Sequence, residues 1–303
     1  MAVSASHLVK KFGDFAAVDD VSFDAGDGAI FGFLGANGAG KTTTIRMMCG
    51  LLMPTSGLLS VAGVDILKDP EKVRTRIGYM SQFFSLYPDL TVEENLSFFG
   101  GIYGLRGTSL ERRIDEVLLE LEMDDMRNRI ASSLPLGYKQ RLGLGSAALH
   151  KPEIVFLDEP TSGVDPLSRV RFWGFIKKLA KRDGMTVIVS THFLNEAEYC
   201  DHILLMNAGK IVAEGSPSSL KKGVDFRIFE IDAVFRLAEL PAVRSFSGVI
   251  DAYAWGRVLR VTVEPSMNTE TLLANLKSAG FKADSAKEVK PTLEDVFIRH
   301  YER

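Results

Sequence analysis

The sequence predicts an α/β fold in two parts: a large domain on a parallel sheet, carrying antiparallel β and helical subdomains, then a small α+β ferredoxin-like domain. Three observations predict it. A glycine-rich stretch, Gly35 to Thr43 (G-A-N-G-A-G-K-T-T), follows the apolar run Ala29 to Leu34 and leads into residues that suit a helix from Thr42 to Leu52. Two further apolar runs, Lys151 to Pro160 (K-P-E-I-V-F-L-D-E-P) and Thr186 to Ser190, end in polar residues as central parallel strands do at their C-terminal ends. Beyond Gly215-Ser216-Pro217 the pattern changes to short strands and helices in the order β-α-β-β-α-β. At 303 residues the chain exceeds the usual size of one domain, and the boundary is expected near residue 220, giving domains 1–220 and 221–303.

The glycine-rich stretch fits the phosphate-binding pattern G-x-x-x-x-G-K-[ST] at every fixed position. A chain wrapped around a triphosphate must point successive backbone N–H groups inward with no Cβ atoms in the way, and Gly35, Gly38 and Gly40 give that freedom. Lys41 places a point charge beside the β- and γ-phosphates, and the Thr42 hydroxyl can ligate Mg²⁺. The N-terminus of the helix that follows favours an anion through its unpaired N–H groups and dipole.

Residues 3 to 34 read as short strands joined by turns, with Phe12, Phe15, Val18, Val21 and Phe23 mostly in a core; Phe12 is open to a second reading, stacking on a nucleotide base. Gly57 to Ile66 alternates as one strand, and Ile77 to Met80 is a short apolar run ending at Ser81-Gln82. From about residue 83 to 145 the chain turns helical. Thr91 and Glu94 form a T-x-x-E capping box, and Thr108 and Glu111 repeat the device before Leu110, Ile114, Val117, Leu118 and Leu121 on one helix face. Phosphoryl-transfer enzymes need one acid to hold Mg²⁺ and a residue to orient or deprotonate water, roles that Asp158 and Glu159 fit. His192, at the end of a strand, is open to a structural or a catalytic reading.

In the last part Arg227 to Ile231 is a strand and Val234 to Leu240 a helix. A hairpin follows at Gly256, then a helix capped by Asn268, a strand at Lys282 to Val289 and a helix from Pro291. The sheet lacks the aromatic run of an RNA-binding domain. A net charge of −3 leaves no electrostatic footprint for nucleic acid. Cys49 and Cys200 are too few for a disulfide framework or a zinc site and fit a reducing cytoplasm. The N-terminus has no apolar stretch of signal-peptide length, and no segment approaches the roughly 18 apolar residues of a membrane span, so work at a membrane would require another chain to cross it.

The order of these pieces over residues 3 to 220 resembles the ATP-binding cassette (ABC) ATPases. The resemblance implies an ATPase with ATP and Mg²⁺ as cofactors. It makes Gly35 to Thr43 the Walker A loop, with Gly35, Asn37, Gly38, Ala39, Gly40, Lys41, Thr42 and Thr43 around the nucleotide. It makes Gln82 the glutamine that senses Mg²⁺ and the membrane partner, Asp158 the Walker B aspartate, Glu159 the catalytic glutamate and His192 the switch histidine. Asp165 falls in the D-loop, Ser162 to Asp165, and Phe12 matches the aromatic that stacks on adenine.

One motif departs: where the family has L-S-G-G-Q this chain has Leu134 to Tyr138, L-P-L-G-Y, which keeps Gly137 and puts Pro135 and Leu136 in place of a serine and a glycine. A proline is tolerated at a helix start, so the helix dipole survives while one hydroxyl donor is lost. With one cassette per chain, the resemblance implies a head-to-tail homodimer, or a heterodimer with a related ATPase. The closing P-T-L-E-D-V-F-I is similar to ATPase subunits of drug-type exporters. The implied function is to power export of drugs or other small or amphipathic molecules through a separate integral membrane permease. The chain would sit peripherally on the cytoplasmic face of the cell (inner) membrane, with the aromatic stretch Phe83 to Tyr87 helping to form the permease groove. The alternative is a soluble or regulatory ABC ATPase acting without a permease.

Overall fold

The computed structural model describes residues 1–82 and 86–301 and separates two units, Met1–Pro217 and Ser218–Arg303. The first unit opens with β1 (Val3–Phe12) and β2 (Phe15–Ala25), an antiparallel pair, then β3 (Ile30–Leu34), buried at every position. Helix α1 (Lys41–Met48) starts inside the glycine-rich loop. β4 (Ser56–Val61) and β5 (Val64–Asp65) follow, so the single strand expected from Gly57 to Ile66 is a hairpin. It turns at Ala62 and Gly63, both with positive φ, 50° and 71°.

α2 (Pro70–Arg76), capped by Asp69, leads into β6 (Ile77–Met80). The helical subdomain holds α3 (Val92–Ile102), α4 (Gly107–Glu120) and α5 (Leu136–Ala148). The Thr91/Glu94 capping box forms as the sequence predicts. The one at Thr108/Glu111 does not, because α4 begins a residue earlier, at Gly107 after Arg106, leaving Thr108 inside the helix. Ile114, Val117, Leu118 and Leu121 are buried on the expected face. The expected permease groove falls partly on Phe83, Phe84 and Ser85, which lie outside the described residues; Tyr87 packs edge-on against Phe98 with ring centroids 4.5 Å apart.

β7 (Ile154–Asp158), α6 (Pro166–Asp183), β8 (Thr186–Thr191), α7 (Leu194–Ala197), β9 (His202–Asn207) and β10 (Lys210–Gly215) complete the unit, and α8 (Pro217–Lys222) begins at its last residue. A six-stranded sheet has the order β10-β9-β3-β8-β7-β6, parallel except for β10, and a four-stranded antiparallel sheet the order β2-β1-β4-β5. Ile45, Met47 and Met48 of α1 are fully buried in one apolar cluster with residues of both sheets, among them Phe33, Phe156, Val18 and Leu59. Each such side chain contributes roughly 1.5–3 kcal/mol of burial, so the helix behind the loop is fixed in the densest part of the unit. Phe12 and Phe15 are not in that core as expected: they are 51% and 65% exposed, at the turn between β1 and β2.

The second unit contains β11 (Arg227–Val234), α9 (Leu240–Arg244), β12 (Val249–Trp255), β13 (Val258–Val263), α10 (Thr269–Ser278), β14 (Lys282–Val289) and α11 (Leu293–Tyr301). Its antiparallel order, β12-β13-β11-β14, is the split β-α-β arrangement expected. The helix expected at Val234 to Leu240 starts later, as a 3-10 turn at Leu237–Glu239 that runs into α9, because β11 keeps pairing with β14 as far as Val234 against Lys282.

β13 is buried along nearly its whole length, its apolar Leu259, Val261 and Val263 alternating with Arg260 and Thr262. The apolar set belongs to a core with Leu272 and Leu276 of α10, and Arg260 reaches Asp295 of α11 on the opposite face. Among the described residues no helix is long and apolar enough to cross a membrane.

Candidate functional site

The loop between β3 and α1 is held open by its glycines. Gly38 and Gly40 adopt φ of 84° and 105°, and a Cβ on Gly40 would stand 2.6 Å from the Ala17 carbonyl oxygen, so no other residue fits there. Ala39 N donates to Ala36 O at 3.1 Å and Gly209 N to Ala39 O at 3.0 Å, tying the loop to itself and to the β9–β10 turn. Lys41 folds back over the loop, Nζ donating to Gly35 O at 2.8 Å and Ala36 O at 3.1 Å. It is 4% exposed, and burial lowers its pKa against the opposing pull of Glu159.

β7 delivers Asp158 and Glu159 to the C-terminal edge of the parallel sheet, beside the loop. Asp158 Oδ1 accepts from Thr42 Oγ1 at 2.9 Å and from Ser190 Oγ at 2.6 Å. Its other oxygen, Oδ2, is buried with no hydrogen-bond partner among the described residues, and burial raises the carboxyl's pKa despite those two hydroxyls. An orphaned carboxylate oxygen next to a threonine hydroxyl is a fit for a hard divalent cation. No cluster of three or more His, Cys, Asp or Glu among the described residues could hold a metal by itself, so a cation here needs phosphate oxygens as further ligands.

Glu159 has a left-handed backbone, φ 48°, strained for a residue with a Cβ and held by its N–H donating to Ser190 Oγ at 2.9 Å. Its carboxylate gathers three groups. Gln82 Nε2 donates to Oε2 at 3.2 Å, Lys41 Nζ stands 3.5 Å from Oε1, and His192 Nδ1 stands 3.2 Å from Oε2. The sequence-predicted Phe12, Asn37, Gly38, Gly40, Lys41, Thr42, Thr43, Gln82 and Glu159 all line one cleft of about 360 Å³, joined by Phe15 and Ala17. Phe12 stands at its rim with Lys10 Nζ 5.1 Å from the ring centroid.

Of the other predicted residues, Gly35 and Ala39 belong to the same loop, Asp158 and His192 contact the lining residues Thr42 and Glu159, and Asp165 and Gly137 do not reach the cleft. Asp165 is the N-cap of α6, accepting from Ser168 N at 2.9 Å, and Gly137 lies in the first turn of α5, where a Cβ would meet Ser168 Oγ at 3.0 Å. Pro135 occupies the N-cap of α5 with no side-chain cap, its carbonyl accepting from Tyr138 N and Lys139 N at 3.0 and 3.1 Å. Sequence reasoning missed Ser190, which orients both acids at once. The signal was there, a small hydroxyl residue at the end of a strand two positions before His192, but only the pairing of β7 with β8 gives it meaning.

Residues 18–162 match the family described as ABC transporter, and residues 215–301 match the C-terminal domain of ATP-binding proteins like DrrA1-3. The chain is 34% identical over 302 aligned positions to the linearmycin resistance ATP-binding protein LnrL of Bacillus subtilis (strain 168), covering 98% of this chain and 97% of that one. It is 52% identical over 219 positions to the probable multidrug ABC transporter ATP-binding protein YbhF of Escherichia coli (strain K12); that match takes in 72% of this chain and only 38% of the relative's length. A dimeric, post-hydrolysis ATP-binding cassette bound to ADP and Pi has a similar fold, with a TM-score of 0.65 and 27% identity over 71% of this chain and 98% of that structure.

Proposed function

This chain belongs to the ATP-binding cassette (ABC) transporter family, and from that premise we propose that it binds and hydrolyses ATP to drive export through a separate membrane permease. The observation that carries the reading is the convergence of Lys41, Gln82 and His192 on the Glu159 carboxylate at the end of the glycine-lined cleft. In this reading Lys41 exchanges Gly35 O and Ala36 O for the β- and γ-phosphate oxygens, while the loop N–H groups and the start of α1 neutralise the rest of the charge. Glu159 accepts the proton of the attacking water, Gln82 holds that water in line, and His192 steadies the γ-phosphate. Phe12, already exposed at the rim, stacks on the adenine.

Mg²⁺ would be held by Thr42 Oγ1 and Asp158, with Gln82 alongside; bound there it offsets charge developing on the phosphates. Such an ion would give a partner to the Asp158 carboxylate, one oxygen of which has none among the described residues. Gly137 and Asp165 lie outside the cleft of their own chain, which supports a head-to-tail pair of chains in which they face the nucleotide of the other copy. Relatives named for multidrug transport and linearmycin resistance support export of small or amphipathic molecules, from a position on the cytoplasmic face of the membrane.

The test uses the full chain, with and without its permease in membrane vesicles. Mg²⁺-dependent ATP turnover by the wild type, stimulated by the permease, together with an ATP-trapped dimer of Glu159→Gln in size-exclusion chromatography, is the expected result. Wild-type protein that neither hydrolyses nor dimerises with ATP would overturn the reading. Turnover that permease vesicles never stimulate would favour a cassette working without a permease.

A further inference from the structure

A second buried carboxylate lies behind the switch histidine, outside the roles just assigned. Glu196, in α7, is fully buried at 0% exposure. Its Oε2 accepts from Thr191 Oγ1 at 2.7 Å, its Oε1 accepts from Thr161 Oγ1, and Arg169 Nε stands 3.2 Å from the same Oε1. The three partners come from three segments. Thr161 follows Glu159 and Pro160, Arg169 is in the first turn of α6 just past Asp165, and Thr191 ends β8 directly before His192. Thr191 Oγ1 also accepts from Phe193 N at 3.0 Å, so both chain neighbours of His192 are fixed to this one group.

Contacts on the Phe193 ring complete the connection. The Arg169 guanidinium lies 4.0 Å from the centroid of the Phe193 ring, and the His192 ring lies 4.1 Å from Phe193. Arg169 Nη2 reaches Val164 O at 3.4 Å, inside the Ser162 to Asp165 turn. A fully buried carboxylate is a costly way to fill space, and an apolar residue would pack as well. What an apolar residue cannot do is hold two hydroxyls and a guanidinium from three segments in a fixed relation.

We infer that Glu196 is a positioning residue for hydrolysis: it sets His192 against Glu159 and joins that pair to the Ser162–Asp165 turn. The inference rests on the ATPase reading. Through this tie a displacement of the Asp165 turn, the segment facing a second copy, is carried to His192 by Arg169 and Phe193. None of Glu196, Thr161, Thr191, Arg169 and Phe193 lines the glycine-loop cleft, so ATP affinity is not their concern.

The experiment measures kcat, KM and thermal unfolding of full-length wild type, Glu196→Gln, Thr161→Val and Thr161→Ser. The amide of Glu196→Gln turns an N–H toward a donor, and Thr161→Val removes a hydroxyl at constant shape, so each breaks one tie. Both are expected to lower kcat about tenfold with KM within about threefold of wild type, and Thr161→Ser, which keeps the hydroxyl, to recover kcat to within about threefold. Unchanged kcat in both variants, a serine as slow as the valine, or losses that follow the unfolded fraction would overturn the inference while leaving the ATPase reading intact. If Glu196→Gln does not fold, the Thr161 pair decides by itself. Absence of turnover in the wild type overturns the ATPase reading and this inference with it.

Discussion

Each unit buries an aspartate among charged neighbours, and the two differ in what is left over. In the second unit both oxygens of Asp295 are taken: Oδ1 accepts from Tyr253 OH, Oδ2 accepts from Thr292 N and Oγ1 at 2.6 Å each, and Arg260 Nη1 lies 3.3 Å from both. Arg260 further pairs with Glu230 at 3.2 Å and covers the Trp255 ring at 4.5 Å. In the first unit Asp158 has one oxygen satisfied and one bare. A closed cluster welds α11 to its sheet; an open one leaves a carboxylate oxygen unmatched among the described residues. The difference teaches that burial of charge alone does not mark a functional site; what points to one is an unpartnered carboxylate oxygen beside a threonine hydroxyl at the edge of the glycine-lined cleft.

The strongest way to break this contrast is to remove one member of the closed cluster. Asp295→Ala leaves the buried Arg260 with Glu230 alone, strands the Tyr253 hydroxyl, and is expected to destabilise the second unit by about 3–5 kcal/mol in chemical denaturation. A loss under about 1 kcal/mol would mean that the cluster is not structural. The matching change in the open cluster, Glu159→Gln, is expected to lower ATP turnover about a hundredfold or more with stability within about 1 kcal/mol of wild type. Because it removes a carboxylate from beside Asp158, a large loss of stability would contradict the account of an open site.

A half-buried group sharpens the comparison, since it solves the same problem by staying neutral. His150 stacks on Tyr103 at 3.5 Å and meets Ile77 O at 3.0 Å; burial first, then the nearness of Arg113, depresses its pKa from 6.5 to about 4 in spite of that hydrogen bond. With the folded pKa below the unfolded one, the unfolded chain binds more protons between those values. The stabilisation is therefore complete above pH 6.5 and lost as pH falls toward 4. Wild type should lose about 1–2 kcal/mol more than His150→Gln between pH 7 and 4.5, a figure reduced for partial exposure. Parallel pH curves for the two proteins would sink the assignment.

Smaller effects are expected away from buried charge. Restoring serine at 135 and glycine at 136 should strengthen ATP-driven association of two chains by about 1–2 kcal/mol, read by analytical ultracentrifugation in Glu159→Gln; unchanged association would argue that Pro135 and Leu136 do not face the nucleotide of a partner. Phe12→Ala should raise the KM for ATP by the loss of about 0.5–1.5 kcal/mol of stacking at constant kcat. An unaltered KM would remove Phe12 from the site.

Much of the candidate site is legible because its residues are contiguous: the loop from Gly35 to Thr43 and the pair Asp158-Glu159 each form a pattern within a few residues. What escaped notice was set by neighbours distant in sequence. Ser190 and Thr161 are ordinary hydroxyl residues until β7 and β8 pair and bring them to the acids. The fold was readable for the same reason where one element sufficed, as at the Thr91/Glu94 cap and the β14 strand. It was misread where a ladder overrode local preference, as when β11 ran on to Val234.

The glycine loop has one more consequence, which concerns heat rather than rate. With Lys41 on Gly35 O and Ala36 O, Ala39 N on Ala36 O, and α1 packed beneath, the loop's order is set by the chain's own hydrogen bonds and packing. Binding then exchanges hydrogen-bond partners instead of folding a segment. The ordering entropy that a flexible loop would surrender is therefore small, and titration calorimetry should record a favourable enthalpy with a heat-capacity change far below that of coupled folding.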